Sequence, residues 1–141
     1  MNSNKSDTQV KPLIVIADDD PSDRLLLKLA IEEQGLDVDI EEYEDGYQTI
    51  EFAKSRCGTA LPIVIILDIN MPKRNGIEVL EFLHEHPGLC KVPVVMFSTS
   101  TNPADAEKTL NLGAKKYFVK PNDYSGYIEL VEYLKELFEV K

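Results

Sequence analysis

Apolar residues fall along this chain in short unbroken runs, and amphipathic stretches separate them. Leu13-Ile14-Val15-Ile16-Ala17, Ile63-Val64-Ile65-Ile66-Leu67 and Val94-Val95-Met96-Phe97 carry no polar interruption. Runs of that length predict strands covered on both faces, hence the middle of a sheet. Val38-Asp39-Ile40-Glu41 alternates apolar and charged residues, the signature of a half-exposed edge strand, and a short fifth strand is read over residues 116–119. Helices fill the intervals. Asp20-Pro21 supplies an N-cap and a proline at the first helical position, Leu25, Leu26, Leu29 and Ala30 form a stripe, and Gly35 is the stop. Asp45 opens a second helix to about residue 55, with Tyr47, Ile50 and Ala53 inward. A third runs from Gly76 to about Glu85 on Ile77, Leu80 and Leu83. Asn102-Pro103 starts a fourth, anchored mainly by Ala106 and Leu110 and ended by Gly113. Asp123 caps the last, whose Tyr127, Leu130, Val131, Leu134, Leu137 and Phe138 share one wide face.

Five strand–helix units in this order predict an α/β fold with a doubly wound parallel sheet and right-handed crossovers. With the apolar strands central and the alternating or short ones at the edges, the strand order is 2-1-3-4-5, a flavodoxin-like (βα)5 arrangement. Its switch point lies between the first and third strands, where such sheets bind ligands. At 141 residues the chain is one domain's worth. Residues 1–11 read as a disordered leader and residues 12–141 as the domain. The formal charge of −10 argues against nucleic acid and against an anionic membrane surface, since no basic face exists to meet phosphates. Without a signal peptide or an apolar run of membrane-spanning length, the expected location is cytoplasmic. Cys57 and Cys90 lack paired spacing and are expected to be reduced thiols.

Each central or closing strand ends on a residue suited to phosphate chemistry. The first stops at Asp18-Asp19-Asp20, the third at Asp68, the fourth at Ser98 and the fifth at Lys120. Parallel strands deliver all four ends to one edge. Two carboxylate charges about 4 Å apart repel by about 4 kcal/mol at an effective dielectric near 20. Asp18, Asp19 and Asp68 therefore call for a proton or a hard cation with oxygen ligands, and Mg2+ suits one or two carboxylates with a phosphoryl oxygen. Capping and solvation account for Asp20 but leave Asp18 and Asp19 unexplained. Asp68 taken alone is as well read as a turn cap; opposite the first cluster it is a candidate nucleophile toward a phosphoryl donor. Ser98 and Lys120 supply a hydroxyl and an ammonium for phosphoryl oxygens. His84 and His86 sit two apart on a helix end, share no face and suggest no acid–base role.

The segments IVIADDDPSD, IILDINMPKRNG, PVVMFSTS and GAKKYFVKP, at these spacings, resemble the receiver domain of two-component response regulators. The likeness runs from Leu13 to Phe138, and with no effector domain after the last helix it is nearest to stand-alone receivers of the chemotaxis or phytochrome-partnered type. The resemblance implies that Asp68 is the phosphoacceptor, receiving its phosphoryl group from a histidine kinase or a histidine phosphotransfer protein. It implies Mg2+ held by Asp19, Asp68 and the Asn70 backbone carbonyl, with Asp18 acting through water. It implies Ser98 and Tyr117 as switch residues, Lys120 on the phosphoryl group, and a cis bond from Lys120 to Pro121. No other cofactor is implied. The partner or dimer surface is expected on the fourth helix, fifth strand and fifth helix, toward an unknown downstream protein target. Asn75 stands where receivers commonly carry Asp, and Ser98 where Thr is more frequent.

Three other readings compete. A haloacid-dehalogenase-type phosphatase wants a second carboxylate two residues after the nucleophile, where this chain has Asn70, and usually a cap domain. A flavodoxin-like FMN protein wants a glycine- and hydroxyl-rich loop after the first strand, where this chain has three aspartates. A degenerate receiver serving only for docking loses the Asp or the Lys, and both are kept. The expectation is a signalling receiver, not a metabolic enzyme, with Mg2+-dependent self-phosphorylation and autodephosphorylation as its own chemistry.

Overall fold

A computed structural model of the chain describes residues 11–56, 62–87 and 92–139. The expected leader, residues 1–11, falls almost wholly outside these, and so do Cys57 and Cys90. Strands β1 (Leu13–Ala17), β2 (Asp39–Tyr43), β3 (Ile63–Leu67), β4 (Val94–Ser98) and β5 (Lys116–Val119) form one parallel sheet. Their order is β2-β1-β3-β4-β5, as the apolar pattern predicts. Helices α1 (Pro21–Glu33), α2 (Gly46–Arg56), α3 (Gly76–Glu85), α4 (Pro103–Asn111) and α5 (Ser125–Glu139) alternate with them.

Every residue of β1, β3 and β4 is buried, because helices cover both faces there. Alternate side chains feed two cores. Leu13, Val15, Ala17, Ile63, Ile65, Leu67, Val94 and Met96 pack with Ile50, Phe52 and Ala53 of α2 and Val79 and Leu80 of α3. Ile14, Ile16, Val64, Ile66, Val95 and Phe97 pack with Leu27, Ala30 and Ile31 of α1 and Tyr127, Leu130, Val131 and Leu134 of α5. Burying a large aliphatic side chain contributes about 1.5–3 kcal/mol, so these two layers fix the sheet.

Register sets the height of the strand ends. Leu13 of β1 lies level with Asp39 and Ile63, and Ala17 with Tyr43 and Leu67. The pattern continues one residue further: the Asp18 N–H donates to the Tyr43 carbonyl and the Asp68 N–H to the Ala17 carbonyl, each at 3.0 Å. On the other side Ser98 pairs with Val119, and the Lys120 N–H donates to the Ser98 carbonyl at 2.8 Å.

Several expected faces are different in the structure. On α1, Leu25 (52% exposed), Leu26 (38%) and Leu29 (45%) face outward, and Leu27, Ala30 and Ile31 are the buried set. Residues 25–31 are apolar all round except Lys28, so the covering layer, not the periodicity, chooses the face. Tyr47 of α2 is exposed, while Ile50 and Ala53 are buried as expected. On α4, Leu110 is exposed and the buried residue is Thr109, whose hydroxyl donates to the helix's own Asp105 and Ala106 carbonyls at 2.9 and 3.1 Å. The ladder of β2 begins at Asp39, one residue later than the alternation suggests.

Candidate functional site

The first loop is built by caps. The Asp20 side chain accepts the Ser22 N–H at 2.8 Å, and Pro21 follows at the first helical position, so α1 starts immediately beyond β1. Asp18 Oδ1 accepts the Asp20 N–H at 2.9 Å, which turns the chain and leaves Oδ2 toward the crevice. Arg24 then ties the strand end down by donating to the Asp18 carbonyl and to Glu42, the latter at 2.8 Å.

The second loop is held from two sides. The Gly76 N–H donates to the Ile69 carbonyl at 2.8 Å, and a Cβ at position 76 would collide with the Asp68 carbonyl. Only glycine lets the start of α3 approach so closely. Asn75 and Glu78 close a capping box, each accepting the other's backbone N–H, at 2.9 and 2.8 Å. Lys73 and Arg74 sit at φ 50° and 87°, a left-handed conformation that costs a side-chain-bearing residue about 1–2 kcal/mol. The Tyr47 N–H on the Lys73 carbonyl, at 2.8 Å, and the absence of a Cβ at Gly46 beneath Arg74 hold it there.

At the crevice, Asp18, Asp19 and Asp68 each offer a carboxylate oxygen, all within 4.8 Å of one another, and among the described residues they are the one such group. Asp18 and Asp68 are buried and Asp19 is exposed. Lys120 Nζ lies 2.8 Å from Asp18 Oδ2, 3.0 Å from Asp68 Oδ2 and 2.7 Å from Asp23 Oδ2. Burial pushes the Asp18 carboxyl up from 3.8 to about 6, and the Asp68 charge adds to that, against the lowering by Lys120 and the Asp20 N–H. Burial by itself disfavours the Lys120 ammonium, but its bonds to Asp18 and Asp23 and the charge of Asp68 more than offset this, and its pKa is raised. The cluster is thus a fixed cation among excess carboxylates. Asp68 Oδ1 is buried and, among the described residues, is the one buried side-chain oxygen or nitrogen without a hydrogen-bond partner. An orphaned carboxylate oxygen in an acidic cluster fits a hard divalent cation, and the all-oxygen donor set is of the kind Mg2+ takes.

The other expected residues make no side-chain contact with this cluster among the bonds of the described residues. Ser98 is fully buried, and its hydroxyl oxygen accepts the Ser100 N–H at 3.3 Å within its own loop. Tyr117 is half-buried and its hydroxyl donates to the Ser100 carbonyl at 2.9 Å. Asn70 is exposed in the β3–α3 loop. The Lys120–Pro121 bond, expected to be cis, is trans, the ordinary preference even before proline. The residue that sequence reasoning missed is Asp23. In the first turn of a helix an acidic residue reads as a dipole partner, and nothing in its spacing announces a bond to a lysine 97 residues away.

Residues 14–132 match the family described as response regulator receiver domain. The probable methanogenesis regulatory protein FilR2 of Methanothrix harundinacea is 29% identical over 88% of this chain and 81% of its own length. The response regulator Rcp1 of Synechocystis is 26% identical over 85% of this chain and 84% of its own. The crystal structure of the phosphorylated cyanobacterial phytochrome response regulator RcpA is similar with a TM-score of 0.76 and 26% identity, covering 92% of this chain and 94% of that one. The acidic crevice at the switch point, the lysine that closes it and these likenesses lead to one assignment: the chain belongs to the response regulator receiver family.

Proposed function

We propose that Asp68 accepts a phosphoryl group in a reaction that requires a divalent cation, Mg2+ in the cell, and that the modification switches a partner-binding face. The observation that carries this reading is the convergence of Asp18, Asp19 and Asp68 with Lys120 at the C-terminal edge of the sheet. Asp19, Asp68 and the Asn70 backbone carbonyl would hold the cation, with Asp18 acting through water. When bound, the cation would neutralise charge on the phosphoryl oxygens and on the crowded carboxylates.

The Asp68 carboxylate attacks phosphorus of a phosphohistidine. The new O–P bond forms as the P–N bond breaks, and the electron pair leaves with the imidazole nitrogen. Lys120 donates to a phosphoryl oxygen, and the Ser98 hydroxyl turns from its own loop to do the same. The aspartyl phosphate carries about −1.5 to −2 charge where the carboxylate carried one, and it adds three strong acceptor oxygens, enough to draw the β4 and β5 ends inward. The donor protein, a histidine kinase or a phosphotransfer protein, must reach the crevice beside α1, where Leu25, Leu26 and Leu29 are exposed as an apolar footing. The output face is formed by α4, β5 and α5. It meets the downstream target or a second copy of the chain.

Acetyl phosphate with Mg2+ tests the chemistry. The chain should gain the mass of one phosphoryl group, Asp68→Asn should gain none, and chelation should abolish the gain. A gain that survives Asp68→Asn would refute Asp68 as acceptor. Size measured on the same samples reads out any dimer through the α4–β5–α5 face.

A further inference from the structure

Lys120 is an ammonium with three N–H donors, and the structure gives it three carboxylate oxygens, one each from Asp18, Asp23 and Asp68. Two of those belong to the acidic crevice itself. Asp18 Oδ1 is already committed to the Asp20 N–H, so Oδ2, the oxygen that Lys120 holds, is what Asp18 has left to offer a cation or its water. A cation bound to Asp68 through its unpartnered Oδ1 therefore competes with the ammonium for Asp18 Oδ2, and its charge weakens the ammonium's hold on Asp68 Oδ2 next to it. Asp23 stands outside that competition: it is not in the three-carboxylate group, its contact with Lys120 is the shortest of the three at 2.7 Å, and its side chain is 23% exposed.

We propose that Asp23 is a positioning residue that holds the Lys120 ammonium when a divalent cation binds Asp68 and its water claims Asp18, so that the lysine yields the site without leaving it. The proposal rests on the divalent-cation reading of the crevice given above. It follows from charge and distance. An ammonium on a side chain that is only 7% exposed has to keep a charged partner away from the cation when it loses Asp18 and its hold on Asp68 weakens. Asp23 is that partner, and from it the same ammonium reaches the phosphoryl group on Asp68 with two donors free. Removing the Asp23 charge leaves Lys120 only the two crevice carboxylates, which it then holds more tightly against an incoming cation. Asp23→Asn should therefore weaken cation binding, and should do so through Lys120.

Titration calorimetry with Mg2+ or Mn2+ alone, without any phosphoryl donor, reads this directly. Asp23→Asn and Asp23→Ala are expected to weaken affinity about five- to tenfold, the worth of one charge-assisted hydrogen bond at a partly exposed site. In a Lys120→Met background the same replacements should change affinity by less than about twofold, because the lost charge then acts only as a distant, solvent-screened field. Equal losses in both backgrounds would overturn the proposal and make Asp23 a plain contributor of negative field. Tighter binding in Asp23→Asn would overturn it too, since the lysine would then have been freed to leave. Circular dichroism and urea midpoints on the same variants keep misfolding from counting as either result. The receiver chemistry fails separately: no phosphorylation of Asp68 with the cycle intact would sink that reading and leave the lysine hold standing.

Discussion

Helices α4 and α5 flank the same edge strand, β5, and each follows a strand end that carries a candidate residue, Ser98 or Lys120, yet they are attached in opposite ways. α5 buries Tyr127, Leu130, Val131 and Leu134 in the core it shares with α1. α4 buries Thr109 alone, with a hydroxyl that bonds back into its own helix. What holds α4 is polar and local. The Ser100 hydroxyl donates to Asp105 at 2.6 Å, Asn102 caps the first turn, and the Tyr117 hydroxyl reaches the Ser100 carbonyl. Apolar burial has no alternative partner to exchange for, whereas each of these bonds contributes about 1 kcal/mol and can be traded. In the function proposed above, a phosphoryl group that recruited Ser98 would have a helix within reach that moves at small cost, and a frame beside it that does not.

The contrast breaks most visibly under truncation. Leu130→Ala should cost about 3–5 kcal/mol in urea unfolding, because Leu130 is fully buried and its cavity has packed neighbours on every side. Leu110→Ala should cost less than about 0.5 kcal/mol, since that side chain is 44% exposed. Comparable losses at the two leucines would mean that α4 is as deeply seated as α5.

A smaller change sharpens the difference instead. Tyr117→Phe removes the hydroxyl that bonds the Ser100 carbonyl and should cost about 1 kcal/mol. Amide exchange is the proper readout, because the loss should appear as faster exchange across residues 103–112 with α5 protection unchanged. If the amides of both helices speed up together, Tyr117 supports the whole edge and is no specific tie to α4.

How much of this was legible in the residues follows from which forces set it. β1 and β3 are apolar at every position and β4 at all but its last, Ser98, so no face had to be chosen, and the order of the sheet follows from which strands can stand at an edge. The convergence of Asp18, Asp68 and Lys120 follows in turn, since strand ends in a parallel sheet share one side. The face of α1 was not legible, because six of the seven residues from 25 to 31 are apolar and only the α5 layer decides between them. Tyr47 and Leu110 point outward for a related reason: amphipathic periodicity says which residues could be buried, not which ones meet a neighbour. Asp23 was invisible because its partner lies across the sheet. The left-handed pair Lys73 and Arg74 was also hidden, since neither is a residue type that favours that conformation and only the α2 contacts impose it.

The two helix caps carry the smallest expected difference, and it depends on pH. α4 is capped by the Asn102 amide oxygen, which accepts the Ala104 N–H at 3.0 Å and has no proton to gain. The start of α5 is held by Asp123, which accepts from the Ser125 hydroxyl and N–H at 2.6 and 3.1 Å. The hydroxyl bond, with the backbone bonds from Ser125 and Gly126, lowers the Asp123 carboxyl below its ordinary 3.8. A carboxyl whose pKa is depressed by folding stabilises the fold above its unfolded value and loses that contribution as pH falls through the folded one. As pH falls from above the ordinary 3.8 to below it, protection factors at Ser125 and Gly126 should fall relative to Ala104, and Asp123→Asn should abolish the difference. The inversion is instructive: the helix with the deeper apolar seat is the one whose first turn acid loosens, because burial along α5 does nothing for the backbone donors at its exposed start. Equal losses at Ala104 and Ser125 would show instead that acid acts on the fold as a whole, and that neither cap responds on its own.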